Sequence, residues 1–203
     1  MTERRQLGVF GGTFDPIHLG HLTAADEVRI RLGLEKILFV PAGQPWLKAN
    51  RAVTPSLHRL EMVRLAISGN PHFDLSTAEV DRPGSTYTVD TISMLRGQLG
   101  EDVDMLFLLG SDTLAGLPQW KEPQELIHLC RLAVFTRPGA PLPSLEALER
   151  AVPGISGRVV PVEVSEVDIG ATEIRERVAR GDPVTGLVLP AVERYIHEHG
   201  LYR

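Results

Sequence analysis

Cysteine is nearly absent. One residue, Cys130, among 203 excludes an intrachain disulfide and fits a reducing, cytoplasmic setting, where a lone thiol is expected to act as a small buried apolar side chain. Positive charge is not in excess either: 21 Lys and Arg against 26 Asp and Glu give a formal net charge of -5. That balance argues against a nucleic-acid or anionic-membrane binder, both of which need a basic surface; any phosphate site has to be basic locally. No apolar run is long enough to span a bilayer, and the charged start at residues 2–6 leads toward a strand without a signal-type hydrophobic region. A soluble protein is expected. Internal repeats and low-complexity linkers are also missing.

What is present is ordinary globular composition, 43% hydrophobic and 23% charged, at a length that suits one domain over 1–203 with a C-terminal helical segment from about 172. Short, continuously apolar runs at 7–10, 37–40, 105–109, 132–135 and 159–164 alternate with helical patterns. This predicts an α/β protein: a doubly wound, Rossmann-like parallel sheet with helices on both faces and ligands at the carboxyl ends of its strands.

The first strand runs into Gly11-Gly12-Thr13-Phe14-Asp15-Pro16-Ile17-His18-Leu19-Gly20-His21, a glycine-led turn into a helix expected from about His18 to Gly33. Free N–H groups and the positive end of the backbone dipole make a helix start an anion site. His18 and His21, three apart, are expected on one face of the first turn, and Gly20 leaves room beside them for a polyphosphate. Dipole effects give roughly 0.3–2 kcal/mol, whereas a modest enzymatic acceleration needs about 8 kcal/mol, so further cations must converge here. A plain tight turn, capping or core histidines, and a metal site are the alternatives; the helical zinc pattern spaces its histidines four apart around a glutamate and does not fit.

Further chemistry lies at later strand ends. The aperiodic segment 42–53 carries Lys48 and Arg51. Thr54 and Pro55 suit the start of a helix with Leu57, Leu60, Val63 and Ile67 on its packing face. Thr86, Tyr87 and Thr88 form a hydroxyl-rich turn, with Thr88 as a cap for a helix over 89–99 and a second anion site. Asp112, after Gly110 and Ser111, is placed either for a ribose hydroxyl or as a helix cap. Trp120 sits among polar residues, as expected of a ring facing a pocket and able to stack on a flat heterocycle. Thr172 is expected to cap the last-but-one helix, with Arg175 on its first turn facing an anion, or else paired on the surface with Glu173 or Glu176.

The stretch from Gly11 to His21 resembles the signature of the HxGH nucleotidyltransferase superfamily, and its Gly-Gly-Thr-Phe-Asp-Pro form is similar to that of bacterial nicotinate-nucleotide adenylyltransferases. Thr86-Tyr87-Thr88-Val89-Asp90-Thr91 resembles the family's Ser-Tyr-Thr-x-Asp-Thr element, and Gly110-Ser111-Asp112 its Gly-x-Asp. Lys48 stands where a Pro-Pro-His-Lys stretch has its lysine, and Arg59 falls in an Arg-x-x-Met pattern that suggests a structural ion pair. Gly170 and Ala171 replace both serines of the Ile-Ser-Ser-Thr-x-Ile-Arg motif. The resemblance implies adenylyl transfer from ATP to nicotinate mononucleotide, with Mg2+ carried by ATP and no dedicated protein ligands for it. It implies catalytic roles for His18, His21, Lys48 and Arg175. ATP would meet Gly11, Gly12, Thr13, Phe14, His18, His21, Gly110, Asp112, Thr172 and Arg175. The nicotinate nucleotide would meet Thr13, Lys48, Thr86, Tyr87, Thr88, Asp112 and Trp120, the last stacking on the pyridine. A nicotinamide-mononucleotide or phosphopantetheine enzyme of the superfamily, and a catalytically silent nucleotide-binding domain, are the competing readings.

Overall fold

A computed structural model describes residues 5–45, 53–100, 102–136, 142–165 and 169–203. Its strands are β1 (Arg5–Gly12), β2 (Lys36–Pro41), β3 (Gln44–Pro45), β4 (Phe73–Leu75), β5 (Ser85–Thr86), β6 (Val103–Gly110), β7 (Arg131–Thr136) and β8 (Val159–Glu163). Six of them form one parallel sheet in the order β4-β2-β1-β6-β7-β8, and β3 pairs with β5 in a separate two-stranded ribbon. The winding reverses between β1 and β6. At such a switch point the chain leaves the two neighbouring strands toward opposite faces, which opens a crevice at their carboxyl ends.

The α/β expectation therefore holds, and the alternation of side chains along each strand explains why helices cover both faces. Phe10, Ile37, Phe39, Leu106 and Leu108 point to one side. There they meet α1 (Leu19–Leu32), α2 (Ser56–Ile67), α7 (Ala171–Arg180) and α8 (Pro190–Glu198). Val9, Val40, Met105, Phe107 and Leu109 point to the other, against α3 (Thr88–Leu99), α5 (Pro123–Leu129) and α6 (Leu145–Ala151). The short helix α4 (Ser111–Ala115) caps the end of β6. Cys130 is buried, and loss of water pushes its thiol up to about 12, so it packs as an apolar group. Among the described residues no helix is long and apolar enough to cross a membrane.

Several helix starts differ from the sequence expectation by one or two residues. The N-cap positions fall at Pro55 rather than Thr54, Tyr87 rather than Thr88, Gly110 rather than Asp112, and Gly170 rather than Thr172. None of these four has a side-chain cap; Thr54 lies before its helix, while Thr88, Asp112 and Thr172 sit inside the first turn of theirs. The packing face of α2 also differs. Leu57 is 70% exposed, whereas Arg59, Met62, Val63, Ala66 and Ile67 are buried. Those five positions follow helical spacing faithfully; the guanidinium in the stripe is what hid it.

Candidate active site

The crevice at the ends of β1 and β6 is a cavity of about 530 Å3. Gly11, Gly12, Thr13, His18, Gly20 and His21 line its centre; Thr86, Thr88 and Trp120 line one flank, Phe135, Val164 and Ile169 the other, and Gly110 and Asp112 lie on the β6 side. Two arms leaving a glycine-rich centre suit a ligand with two flat groups joined through phosphates.

His18 and His21 meet, but not as two positions of one helical face. His18 is the N-cap of α1, with extended backbone (φ -143°, ψ 170°). Its ring folds over the first turn and stacks on His21, with centroids 3.6 Å apart. The His18 N–H donates to Nδ1 of His21 at 3.3 Å, which fixes that nitrogen as an acceptor. Phe14, only 2% exposed, lies edge-on beneath His21 at 5.1 Å. Phe14 thus supports the imidazole rather than walling the cavity. A Cβ on Gly12 would fall 2.8 Å from the Phe14 ring, and one on Gly20 would fall 3.1 Å from Nδ1 of His18. The glycines therefore make room first for the protein's own rings.

His18 is 7% exposed, and its Nδ1 has no hydrogen-bond partner among the described residues. Burial lowers its pKa to about 4, so the ring is neutral near pH 7. Buried polar atoms are almost always satisfied; this nitrogen is covered by the first turn of α1, where the His18 side chain faces the His21 N–H in a capping-box arrangement. Of the first-turn amides, Leu19 donates to the Leu187 carbonyl at 2.9 Å and His21 to the His18 carbonyl at 3.0 Å. The helix start thus offers a ligand fewer backbone donors than an open one, which shifts the weight to side chains.

Arg175 does not line the cavity. Its Nη1 donates to the Asp15 carbonyl at 2.8 Å and its Nη2 to Thr172 Oγ1 at 3.1 Å, which pins α7 to the signature loop. The surface pair is not formed, because Glu173 is taken by Arg177 at 2.7 Å. Lys48, Arg51 and Trp46 lie outside the described residues. Asp112, exposed at the second position of α4, is not the cap and lines the cavity. Trp120 lines the cavity and meets Phe107 edge-on at 6.1 Å. Tyr87 lies outside the cavity wall under Lys121, whose Nζ is 5.2 Å from the ring and 2.8 Å from Asp90 Oδ1.

Two supports stand behind the site: one whose structural role the resemblance suggested but with an ion pair in place of its true partners, and one that the sequence did not mark. Arg59 is 1% exposed and makes no ion pair among the described residues. Instead it donates to three carbonyls, Thr54 at 2.8 Å, Thr13 at 2.8 Å and Gly43 at 2.9 Å. Burial lowers its pKa, with Asp15 acting in the opposite sense. A five-donor fork suits this three-loop strap as a lysine would not. The second is Glu79, 8% exposed and part of the cavity wall, which accepts from Thr91 Oγ1 at 2.8 Å while Thr91 accepts from Arg82 at 3.1 Å. Its segment has no strand or helix period to mark it.

A parallel sheet in the order β4-β2-β1-β6-β7-β8 with paired imidazoles at its switch point has the architecture of nucleotide-binding α/β proteins. The chain belongs to the cytidylyltransferase-like family, whose model matches residues 9–177. It is 45% identical over 195 residues to a probable nicotinate-nucleotide adenylyltransferase of Dehalococcoides mccartyi, with 96% of each chain covered. It is 46% identical over 198 residues to one of Thermomicrobium roseum, covering 98% of this chain and 92% of that one. Its fold is similar to that of a Plasmodium falciparum nicotinic acid mononucleotide adenylyltransferase complexed with NaAD, with TM-score 0.79 and 19% identity over 98% of this chain and 97% of that one.

Proposed function

We infer that this protein transfers the adenylyl group of ATP to nicotinate mononucleotide, giving nicotinate adenine dinucleotide and pyrophosphate. The observation that carries the reading is the stacked His18–His21 pair at the start of α1, lining the crevice at the ends of β1 and β6. The relatives' names and their near-complete coverage support the same activity. A phosphate oxygen of the mononucleotide attacks the α-phosphorus of ATP; a new P–O bond forms there as the bond to the oxygen bridging to the β-phosphorus breaks, and pyrophosphate leaves with that oxygen. The nucleophile is already anionic, so neither a general base nor a covalent intermediate is required. Catalysis is in-line positioning plus stabilisation of charge that builds on the α-phosphate and leaving group.

In this reading His18, His21 and Lys48 hold the triphosphate, and Arg175, which lies outside the cavity wall, joins them by exchanging its Thr172 contact for a phosphate oxygen. A polyanion beside His18 favours its protonated form, reversing the effect of burial and giving the ring a second donor. Gly11, Gly12 and Thr13 border the phosphates and Phe14 holds His21 from behind. Gly110 and Asp112 meet a ribose, while Thr172 orients Arg175. Thr86, Thr88 and Trp120 meet the pyridine nucleotide, with Tyr87 behind them outside the cavity wall, and Phe135, Val164 and Ile169 meet the adenine. Among the described residues no three His, Cys, Asp or Glu side chains are gathered to hold a metal. Mg2+ arriving on the ATP phosphates needs no such set and neutralises part of their charge.

The test is release of pyrophosphate from ATP, with and without nicotinate mononucleotide, in the wild type and in His21→Ala. The wild type should release pyrophosphate only with the acceptor present, and the variant should fold yet turn over about 10²–10³ more slowly, the usual cost of one transition-state donor. Acceptor-independent release, or near-normal turnover in the folded variant, contradicts the reading.

A further inference from the structure

Behind the signature loop, away from the cavity wall, the end of the chain holds the loop in place. After α8 the backbone turns at Gly200 (φ 58°) and Tyr202 (φ 65°). A tyrosine in the left-handed region costs on the order of 1 kcal/mol and persists only where its surroundings fix it. What fixes it is Asp15. The Tyr202 hydroxyl donates to Asp15 Oδ1 at 2.7 Å, and the other carboxylate oxygen accepts the Thr54 N–H at 3.3 Å. The main-chain carbonyl of the same aspartate accepts Nη1 of Arg175 at 2.8 Å. Asp15 is 7% exposed, and the next residue but two is His18. The left-handed Phe14 (φ 48°), the ring under His21, immediately precedes it. A second contact from the same end of the chain, the Leu187 carbonyl on the Leu19 N–H at 2.9 Å, holds the first turn of α1.

We propose that Tyr202 is a positioning residue for adenylyl transfer: its phenol fixes Asp15, and through Asp15 both the loop from Phe14 to His18 and the Arg175 guanidinium. The inference rests on the activity proposed above. Burial and the neighbouring carboxylate push the phenol above its ordinary pKa, so it remains a donor throughout the working pH range. Loss of the hydroxyl frees one carboxylate oxygen, which can then turn and carry the loop with it. A displacement of this kind far from the reacting atoms lowers the rate without removing a ligand contact.

The experiment compares wild type, Tyr202→Phe, Asp15→Ala and the double variant. Tyr202→Phe keeps the ring and removes one oxygen. It is expected to lower kcat about tenfold, the rate equivalent of one hydrogen bond's net worth. KM for nicotinate mononucleotide should stay within about twofold and the melting temperature should hardly move, the change being confined to one surface-remote bond. In the Asp15→Ala background the same change should cost nothing more, because the partner is gone; Asp15→Leu, which also lacks an acceptor, serves if Asp15→Ala does not fold. Unchanged kcat, an equal loss in both backgrounds, or a loss that tracks falling stability overturns the proposal. If the wild type itself makes no dinucleotide, the activity reading fails. The proposal is then judged by calorimetry with inorganic pyrophosphate alone, whose affinity Tyr202→Phe should lower about fivefold, and which an unmoved affinity would refute.

Discussion

At the scale of single residues the decisive fact is that His18 gives up water and gains no partner for Nδ1, so that its pKa falls from 6.5 to about 4. The consequence for stability has a definite sign. Near pH 5 the unfolded chain binds a proton at this site and the folded chain does not, so acid favours unfolding. Stability from this group is full above pH 6.5, declines as the pH falls toward 4, and is flat below. The range is at most about 3 kcal/mol. Urea unfolding at pH 7.5 and 4.5 should therefore show a larger acid loss for the ligand-free wild type than for His18→Asn, and equal losses would contradict the burial argument. Arg59 carries the opposite lesson: it is charged, yet it is stable inside because three carbonyls satisfy it.

Among the elements, the start of α7 is where this chain departs from its resemblance, with Gly170 as an uncapped N-cap and Ala171 following. Nothing lies within 4 Å of a Cβ built on Gly170, so a serine fits without strain. Gly170→Ser should add only a few tenths of a kcal/mol of stability and change ATP affinity by no more than about 1.5 kcal/mol, one hydrogen bond's net worth. Titration calorimetry and thermal melts decide it. A gain much beyond that would mean the native helix start is impaired as a phosphate site, and would revive the silent-domain alternative. Element existence was legible in the sequence because strands β1, β2, β6, β7 and β8 are continuous apolar runs. Helix starts were less so: Thr54, Thr88, Asp112 and Thr172 have the chemistry of caps, and nothing local tells a cap from a residue just before the helix or within its first turn. The His18–His21 pair was found from its spacing, but its geometry comes from the extended N-cap of α1, which spacing does not encode. The carbonyl partners of Arg59, the Glu79 contact and the Asp15–Tyr202 bond were not legible, since each depends on segments apart in the chain brought together by packing, although the structural role of Arg59 was.

At the scale of the whole molecule, the sheet order puts both arms of the crevice at one switch point, so acceptor and donor nucleotides can meet across the histidines. In the acceptor arm, Trp120 can stack on the acid or the amide form of the pyridine, so discrimination falls to the polar groups around it. Thr88 Oγ1 and the N–H groups of the first turn of α3 would donate to a carboxylate and would oppose an amide N–H₂, whereas the Trp120 N–H is already taken by the Leu117 carbonyl at 3.0 Å. Each mismatch left unpaired costs about 1–3 kcal/mol. The most direct measurement is kcat/KM for nicotinate mononucleotide against nicotinamide mononucleotide with ATP in the wild-type protein. The account predicts a preference for the acid of at least about tenfold, from two such mismatches; a ratio near one, or a preference for the amide, would contradict it.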